Sequence, residues 1–388
     1  MNIGLFIKDF AVGKKFSKDG LPTKSGAEFH GENHALQLIK RGHNVTIMAK
    51  KRYWFTKARE NINGIDLVRL HAPFRWLEII IRLLTTHRHL DAFYIIGTPK
   101  FSVWVVLMAR AFNKPVTLAL TGKAEIFDAD SSWRNKILAK CTNYVATTHE
   151  IQQGFIRQGH VRPECVSVLA HGIDTGKYFC LSPERKVELR EKYALPQNAP
   201  VLLFCARIVL NKGIDTLLKI WPMVHEKNSD ARLLVVGGGR HELLTALKQM
   251  SQESDDSVQV VGECEHPQDY YQMADVYIFP SRHEGLPTSL LEAMSSGLVA
   301  VTSDIGGCDD LIFDGRTGYR VDSEDAAQFA AKILYLFEHP AERQQMQNAS
   351  RELVHKYCDY TYVIEKLERI IESKGPVQQD FLQTEEMQ

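Results

Sequence analysis

Two carboxylates, Glu284 and Glu292, lie eight residues apart in the stretch ADVYIFPSRHEGLPTSLLEAMSSG, which runs from Ala274 to Gly297. Val276 to Phe279 is apolar, β-branched and aromatic and stops at Pro280 and Ser281, which predicts a buried strand ending in a loop. Pro287 and Thr288 open a helix, so the loop carrying Glu284 and Gly285 feeds a helix amino terminus. The backbone N–H groups around Thr288, Ser289 and Leu290, with the helix dipole, can hold a phosphate beyond the strand's carboxyl end. Glu292 falls about two turns into that helix, so the two carboxylates do not form an i, i+4 pair. Their spacing suits an elongated, diphosphate-bearing ligand with hydroxyls at both ends; for Glu292 a solvated helix position is the plainer alternative. Farther up the chain, Arg207 and Lys212 follow the buried strand Val201 to Ala206 and offer a planar fork and a compact charge.

The elements that must position these groups are legible as alternation. A chain of 388 residues exceeds one ordinary core, and two domains of roughly 150 to 200 residues are expected. Forty-seven basic and forty-seven acidic residues leave no net charge, which argues against nucleic acid as a partner. Seven cysteines (Cys141, Cys165, Cys180, Cys205, Cys264, Cys308 and Cys358) form no C-x-x-C pair and fit a reducing cytoplasm better than a disulfide scaffold or a zinc site. The apolar run Ile3 to Ile7 is cut by Lys8 and Asp9, too early for a signal peptide, and no stretch approaches the roughly 18 apolar residues of a membrane span. A soluble or peripheral cytoplasmic protein is expected.

Short apolar strands are predicted at Asn2 to Ile7, Asn44 to Ala49, Ile65 to Leu70, Ala92 to Gly97, Pro115 to Thr121, Tyr144 to Thr147 and Val166 to Leu169. Helical patterns between them predict a parallel, doubly wound sheet with its ligand site at the strand carboxyl ends. The first connection is long and carries Lys14, Lys15, Lys18 and Lys24, then Ser25 and Gly26, before a helix from Phe29 to Arg41 capped by Gly42. Residues 71–90 place Trp76, Leu77, Ile80, Leu83 and Leu84 on a helical spacing beside Arg75, Arg82 and Arg88. Such a stripe packs on a sheet or lies on an anionic membrane. In the second half, strands end at Ala206, Val236, Gly262, Phe279 and Thr302; the turn Gly237 to Gly239 is not a G-x-G-x-x-G fingerprint. Candidate metal-binding pairs, Asp255 with Asp256 and Asp309 with Asp310, are poorly placed.

EGLPTSLLEA, from Glu284 to Ala293, resembles the EGxPxxxxEA signature of the retaining glycosyltransferases of the GT-B superfamily, usually called family 4. SGAEFHGENHALQLIKRGHNVTIM is similar to the family's GGAExHxxxLAxxLxxRGHxVxV, with Ser25 for the first glycine. ARIVLNKG resembles GRLxxxKG with Ala206 for glycine, HGIDTGKYF resembles NGVDxxxF with His171 for asparagine, and DGRTGY resembles DGxTGxL. These matches run in order along almost the whole chain. They imply the GT-B fold, an α/β arrangement of two Rossmann-like doubly wound parallel-sheet domains facing across a cleft. The implied boundaries are 1–178 for the acceptor domain, 179–356 for the nucleotide-sugar domain, 357–375 for a helix crossing back to the first domain, and 376–388 for a disordered tail.

The implied reaction moves a sugar, with retention, from a nucleoside diphosphate sugar, taken as a UDP-sugar, to a sugar, lipid-linked or other hydroxyl acceptor in polysaccharide or glycolipid assembly. No cofactor and no metal are implied. Arg207 and Lys212 would clamp the diphosphate, Glu284 would hold sugar hydroxyls and Glu292 the ribose. Gly26, Gly238, Gly285, Leu286, Thr288, Ser289 and Leu290 would complete the donor site. Relatives often carry a histidine where this chain has Thr121, which leaves Thr121, Lys123, Glu125 and His149 as acceptor-side candidates. A nucleotide-sugar epimerase or hydrolase of the same fold is the alternative. A dinucleotide oxidoreductase would need its fingerprint after the first strand, where lysines stand instead.

Overall fold

The computed structural model describes the chain apart from residues 11–25, 52–56, 72, 123–132, 256, 265 and 378–388. The chain divides into two compact units: one reaches Gly172 and resumes at Tyr360, the other takes Ile173–Asp359. The crossings fall before the expected 178 and after the expected 356.

In the first unit the elements are β1 (Asn2–Asp9), α1 (Gly26–Lys40), β2 (Asn44–Lys50), β3 (Arg59–Ile62), β4 (Ile65–Leu70), α2 (Arg75–Leu84) and β5 (Ala92–Ile96), then α3 (Ser102–Ala111), β6 (Val116–Leu120), α4 (Trp133–Leu138), β7 (Asn143–Ala146), α5 (His149–Arg157) and β8 (Val166–Val168). The sheet order is β3-β4-β2-β1-β5-β6-β7-β8, parallel except for β3, which pairs antiparallel with β4. β3 is an edge strand of sequence RENI, with no apolar run to announce it. Gly42 adopts φ 90°, the left-handed conformation expected of a residue that closes α1.

Helix α2 turns inward only part of the stripe that the spacing marked, and adds Ile79 to it. Ile79 and Leu83 are buried, whereas Trp76, Leu77, Ile81 and Leu84 are exposed. Arg82 is drawn back onto Glu78 one turn earlier at 2.8 Å. None of the helices among the described residues is long and apolar enough to cross a membrane.

The second unit runs α6 (Pro183–Lys192), β9 (Val201–Cys205), α7 (Ile214–Lys227), β10 (Arg232–Val236), α8 (His241–Glu253), β11 (Val258–Gly262) and α9 (Pro267–Met273), then β12 (Val276–Phe279), α10 (Thr288–Ser295), β13 (Val299–Ser303), β14 (Gly318–Val321), α11 (Ala326–Glu338) and α12 (Pro340–Tyr357). Its order is β11-β10-β9-β12-β13-β14, and every pairing is parallel. The continuous apolar runs of β9, β10, β12 and β13 reflect burial on both faces of such a sheet.

Helix α13 (Tyr360–Glu372) returns to the first unit. Its apolar face, Val363, Ile364, Leu367, Ile370 and Ile371, is fully buried. Its outer side is tied down where Glu368 meets Arg41 at 2.7 Å and His43 at 2.6 Å.

Candidate active site

All strands of the second sheet point the same way, so the loops after β9, β10, β12 and β13 share one edge. The segment after β9 is zipped to the glycine turn after β10: Ala206 donates to Val236 O at 3.1 Å, Ile208 to Gly238 O at 2.9 Å and Arg240 to Ile208 O at 3.0 Å. A Cβ on Gly237 would stand 1.9 Å from Ala206 O, and one on Gly239 would stand 2.1 Å from Ile208 O. Gly238, the member singled out in the sequence, would meet only ordinary contacts at 3.6 Å. Its neighbours are the positions that require glycine. Arg207 emerges from this seam exposed, and its guanidinium makes no ion pair with the described residues.

Lys212 and Glu284, seventy-two residues apart, meet as an ion pair. The Ser281 hydroxyl lies 2.6 Å from the same Glu284 oxygen, and Lys212 Nζ sits 5.6 Å from the Phe279 ring centroid. Gly213 makes this approach feasible. It adopts φ 72°, and a Cβ there would lie 1.9 Å from Pro280 O. The loop is fastened further by Arg282, whose fork grips Asp215 at 2.8 and 2.6 Å and whose Nε reaches Glu324 at 2.9 Å.

Helix α10 begins at Thr288, one residue later than the sequence reading, with Pro287 as an N-cap that offers no side-chain acceptor. Leu290 is fully buried and its N–H is already given to Pro287 O at 3.1 Å, so this residue faces the interior and not the helix's open end. Thr288 and Ser289 are half-buried, Leu286 is buried, and Gly285 is pinned from below, since a Cβ on Gly307 would come within 1.8 Å of its carbonyl oxygen.

Glu292 is not a solvated helix residue. Its carboxylate accepts from Tyr271 Oη at 2.9 Å and also pairs with the Tyr178 hydroxyl. Burial lifts its pKa above the ordinary carboxylate value. The Cys205 thiol is pushed up to about 12, by burial first and by the charge of Glu292 second. Asp309, weighed as part of a metal-binding pair, is held by Arg320 at 2.5 Å.

In the first unit, Thr121 stands half-buried just after β6, whereas Lys123, Glu125 and the lysines and serine before Gly26 lie outside the described residues. Gly26 is the first residue of α1; a Cβ there would meet no atom within 4 Å, so nothing steric requires glycine. His149 opens α5, which is capped where the Thr148 hydroxyl accepts from Ile151 N at 3.3 Å.

The sequence reading missed what gathers beside Thr121. His30 and His34, one turn apart on α1, converge with His171 near the carboxyl ends of β5 to β8, around a small cavity also lined by Tyr94, Thr121 and Thr147. His30 and His171 stack with ring centroids 3.4 Å apart and planes 12° apart. His34 Nε2 must donate to the carbonyl of His171 at 2.9 Å, so its Nδ1 accepts from Tyr94 Oη at 3.2 Å, which fixes a neutral tautomer. Burial lowers all three: His34 to about 4, His171 to about 3, and His30 well below its ordinary value. The one local signal for the trio was the i, i+4 spacing of His30 and His34.

Residues 185–353 match the family described as Glycosyl transferases group 1. That match covers less than half of the chain. A GDP-mannose-dependent monoacylated alpha-(1-6)-phosphatidylinositol monomannoside mannosyltransferase from Corynebacterium glutamicum is 29% identical over 53% of this chain and 56% of its own length. The match thus spans little more than half of that relative. The capsular polysaccharide biosynthesis glycosyltransferase CapM of Staphylococcus aureus is 25% identical over 78% of this chain and 83% of its own. Among solved structures, Anabaena Alr3699/HepE in complex with UDP superposes with a TM-score of 0.75 at 17% identity, covering 95% of this chain and 99% of that one. At that identity the likeness bears on fold alone, and that fold is GT-B.

Proposed function

We propose that this protein is a group 1 glycosyl transferase that moves a sugar from a nucleoside diphosphate sugar to a hydroxyl acceptor, with retention and without a metal ion, in glycolipid or cell-surface polysaccharide assembly. The observation that carries the reading is the Lys212–Glu284 pair beside the exposed Arg207 and the amino end of α10. A diphosphate would draw Lys212 away from Glu284 and join it to Arg207. Glu284 would then be released toward the sugar hydroxyls, so donor binding and carboxylate placement are one event. Leaving-group charge is met by cations and N–H groups held in advance, and the departing phosphate assists the acceptor. Glu292, oriented by two tyrosines, would take the ribose. The acceptor side falls to the strand ends around Thr121.

UDP is the nucleotide we favour, in line with the Anabaena complex, although the Corynebacterium relative is named for GDP-mannose. The exposed apolar side of α2, between Arg75 and Arg88, would rest on an anionic membrane surface, bringing the enzyme to a lipid-linked acceptor.

The test is a thermal-shift panel of nucleoside diphosphates and their sugars, followed by Glu284→Ala. The variant should lose most transfer while binding free nucleoside diphosphate as before, because that ligand has no sugar to lose. Equal loss of both would remove Glu284 from this role. Free sugar released without an acceptor would point to the epimerase or hydrolase alternative.

A further inference from the structure

The amino ends of β6 and β7, at the edge of the first sheet opposite Thr121 and Thr147, border a second recess. Pro115, Cys141 and Thr142 contribute to its floor, and four cations, Arg110, Lys114, Arg162 and Lys374, line it. Arg162 has a carboxylate, Glu164, at 3.2 Å. The other three form no ion pair among the described residues. Lys114 Nζ donates to the carbonyl of Arg88 at 2.7 Å and to that of Leu90, and Arg110 Nη1 donates to Lys140 O at 3.2 Å. Neutral carbonyls thus hold two of the cations in place without cancelling their charge.

The wall bearing Lys374 is fixed as well. Asn143, fully buried at the start of β7, donates to Ile370 O at 3.2 Å and Gly375 O at 3.1 Å, and its Oδ1 accepts from Val377 N at 2.9 Å. Ser167 adds a bond to Val377 O at 2.8 Å. Like charges gathered in a concave site repel one another, and an anion relieves that repulsion. Thr142 Oγ1 accepts from Val116 N at 3.2 Å, which leaves its hydroxyl proton to donate. A guanidinium, two ammonium groups and a hydroxyl match a multiply charged oxyanion better than a single carboxylate.

We infer that this recess binds a phosphate-bearing anion through Arg110, Lys114 and Lys374, at a site separate from the sugar-donor edge. The phosphate is either free in solution or part of a phospholipid headgroup. Because α13 and the residues after it form one wall, the anion fastens the returning segment to the sheet.

The probe is inorganic diphosphate, titrated into the full chain carrying Arg207→Ala and Lys212→Ala so that the donor edge does not take it up. Binding should weaken steeply with salt and slow hydrogen exchange at residues 370–377. Lys374→Glu and Arg110→Glu should each weaken it by about tenfold or more with the thermal unfolding profile preserved. Phosphatidylcholine vesicles with and without phosphatidylglycerol form the second arm. Vesicle binding that needs phosphatidylglycerol, is displaced by diphosphate and is lost in Lys374→Glu assigns the headgroup; diphosphate binding alone assigns a free phosphate. Absence of diphosphate binding, or binding unchanged by both charge reversals, overturns the inference.

Discussion

Acidification should unfasten the first unit well above the pH at which carboxylates protonate. His30, His34 and His171 are neutral in the fold, with His34 at about 4, His171 at about 3 and His30 well below 6.5, the value expected in the unfolded chain. Folded-state values below unfolded ones mean that the unfolded chain takes up protons first. The stability from these rings is therefore complete above pH 6.5 and is lost as pH falls toward 4 to 3. At pH 5 His34 and His171, held neutral, each cost about 2 kcal/mol, since one pH unit is worth about 1.4 kcal/mol per proton. These two rings give about 4 kcal/mol, near the lower end of the whole stability of a typical domain, about 5 to 15 kcal/mol, and His30 acts in the same direction. The assay is hydrogen exchange in β5 to β8 under urea at pH 7 and pH 5, corrected for intrinsic exchange rates, which follows this unit without assuming two-state unfolding of the whole chain. His171→Asn and His34→Gln should each shrink the difference between the two pH values by about 2 kcal/mol, whatever they do to stability at pH 7. An unchanged difference in both variants would refute the reasoning.

Three further outcomes are expected. Arg207→Ala and Lys212→Ala should each lower turnover by a factor on the order of several hundred, the equivalent of about 3 to 4 kcal/mol of transition-state stabilisation, with folding intact. Turnover should also survive EDTA; inactivation by the chelator with recovery on adding Mg²⁺ or Mn²⁺ would show that the cations are not sufficient. The protein should cosediment with anionic liposomes at low salt, and reversing the charges of Arg75 and Arg88 should abolish this; a wild-type chain that ignores such liposomes would exclude docking through α2.

Most of the strands were legible because strands buried on both faces read as continuous apolar runs, which is how β9, β10, β12 and β13 appear. β3 and β14 were not. RENI is polar and lies at an edge, and GYRV follows a glycine turn that hid it. The buried face of α2 was only partly marked, Leu83 but not Ile79, because apolar residues occupy more than one of its faces, so spacing alone could not choose between Leu84 and Ile79. At the carboxyl edge of the second sheet, residue types were recoverable from local motifs, but partners were not. Only the parallel topology brings Lys212 to Glu284, Asp215 to Arg282 and Tyr271 to Glu292. The histidine trio lay further out of reach, since His171 is 137 residues from His34 and no local pattern joins them.

The return of α13 to the first unit also bears on how the protein is made. A ribosome delivers β1 to β8 first, then the whole of the second unit, and only afterwards the helix that covers Leu367's side of the histidine cavity. During elongation the second unit can complete its core while the first still shows water the patch that Val363, Ile364, Leu367, Ile370 and Ile371 will seal. The nascent chain therefore passes through a stage in which its second unit is mature and its first is sticky. Chaperone dependence should be concentrated in that interval and end when α13 clears the exit tunnel.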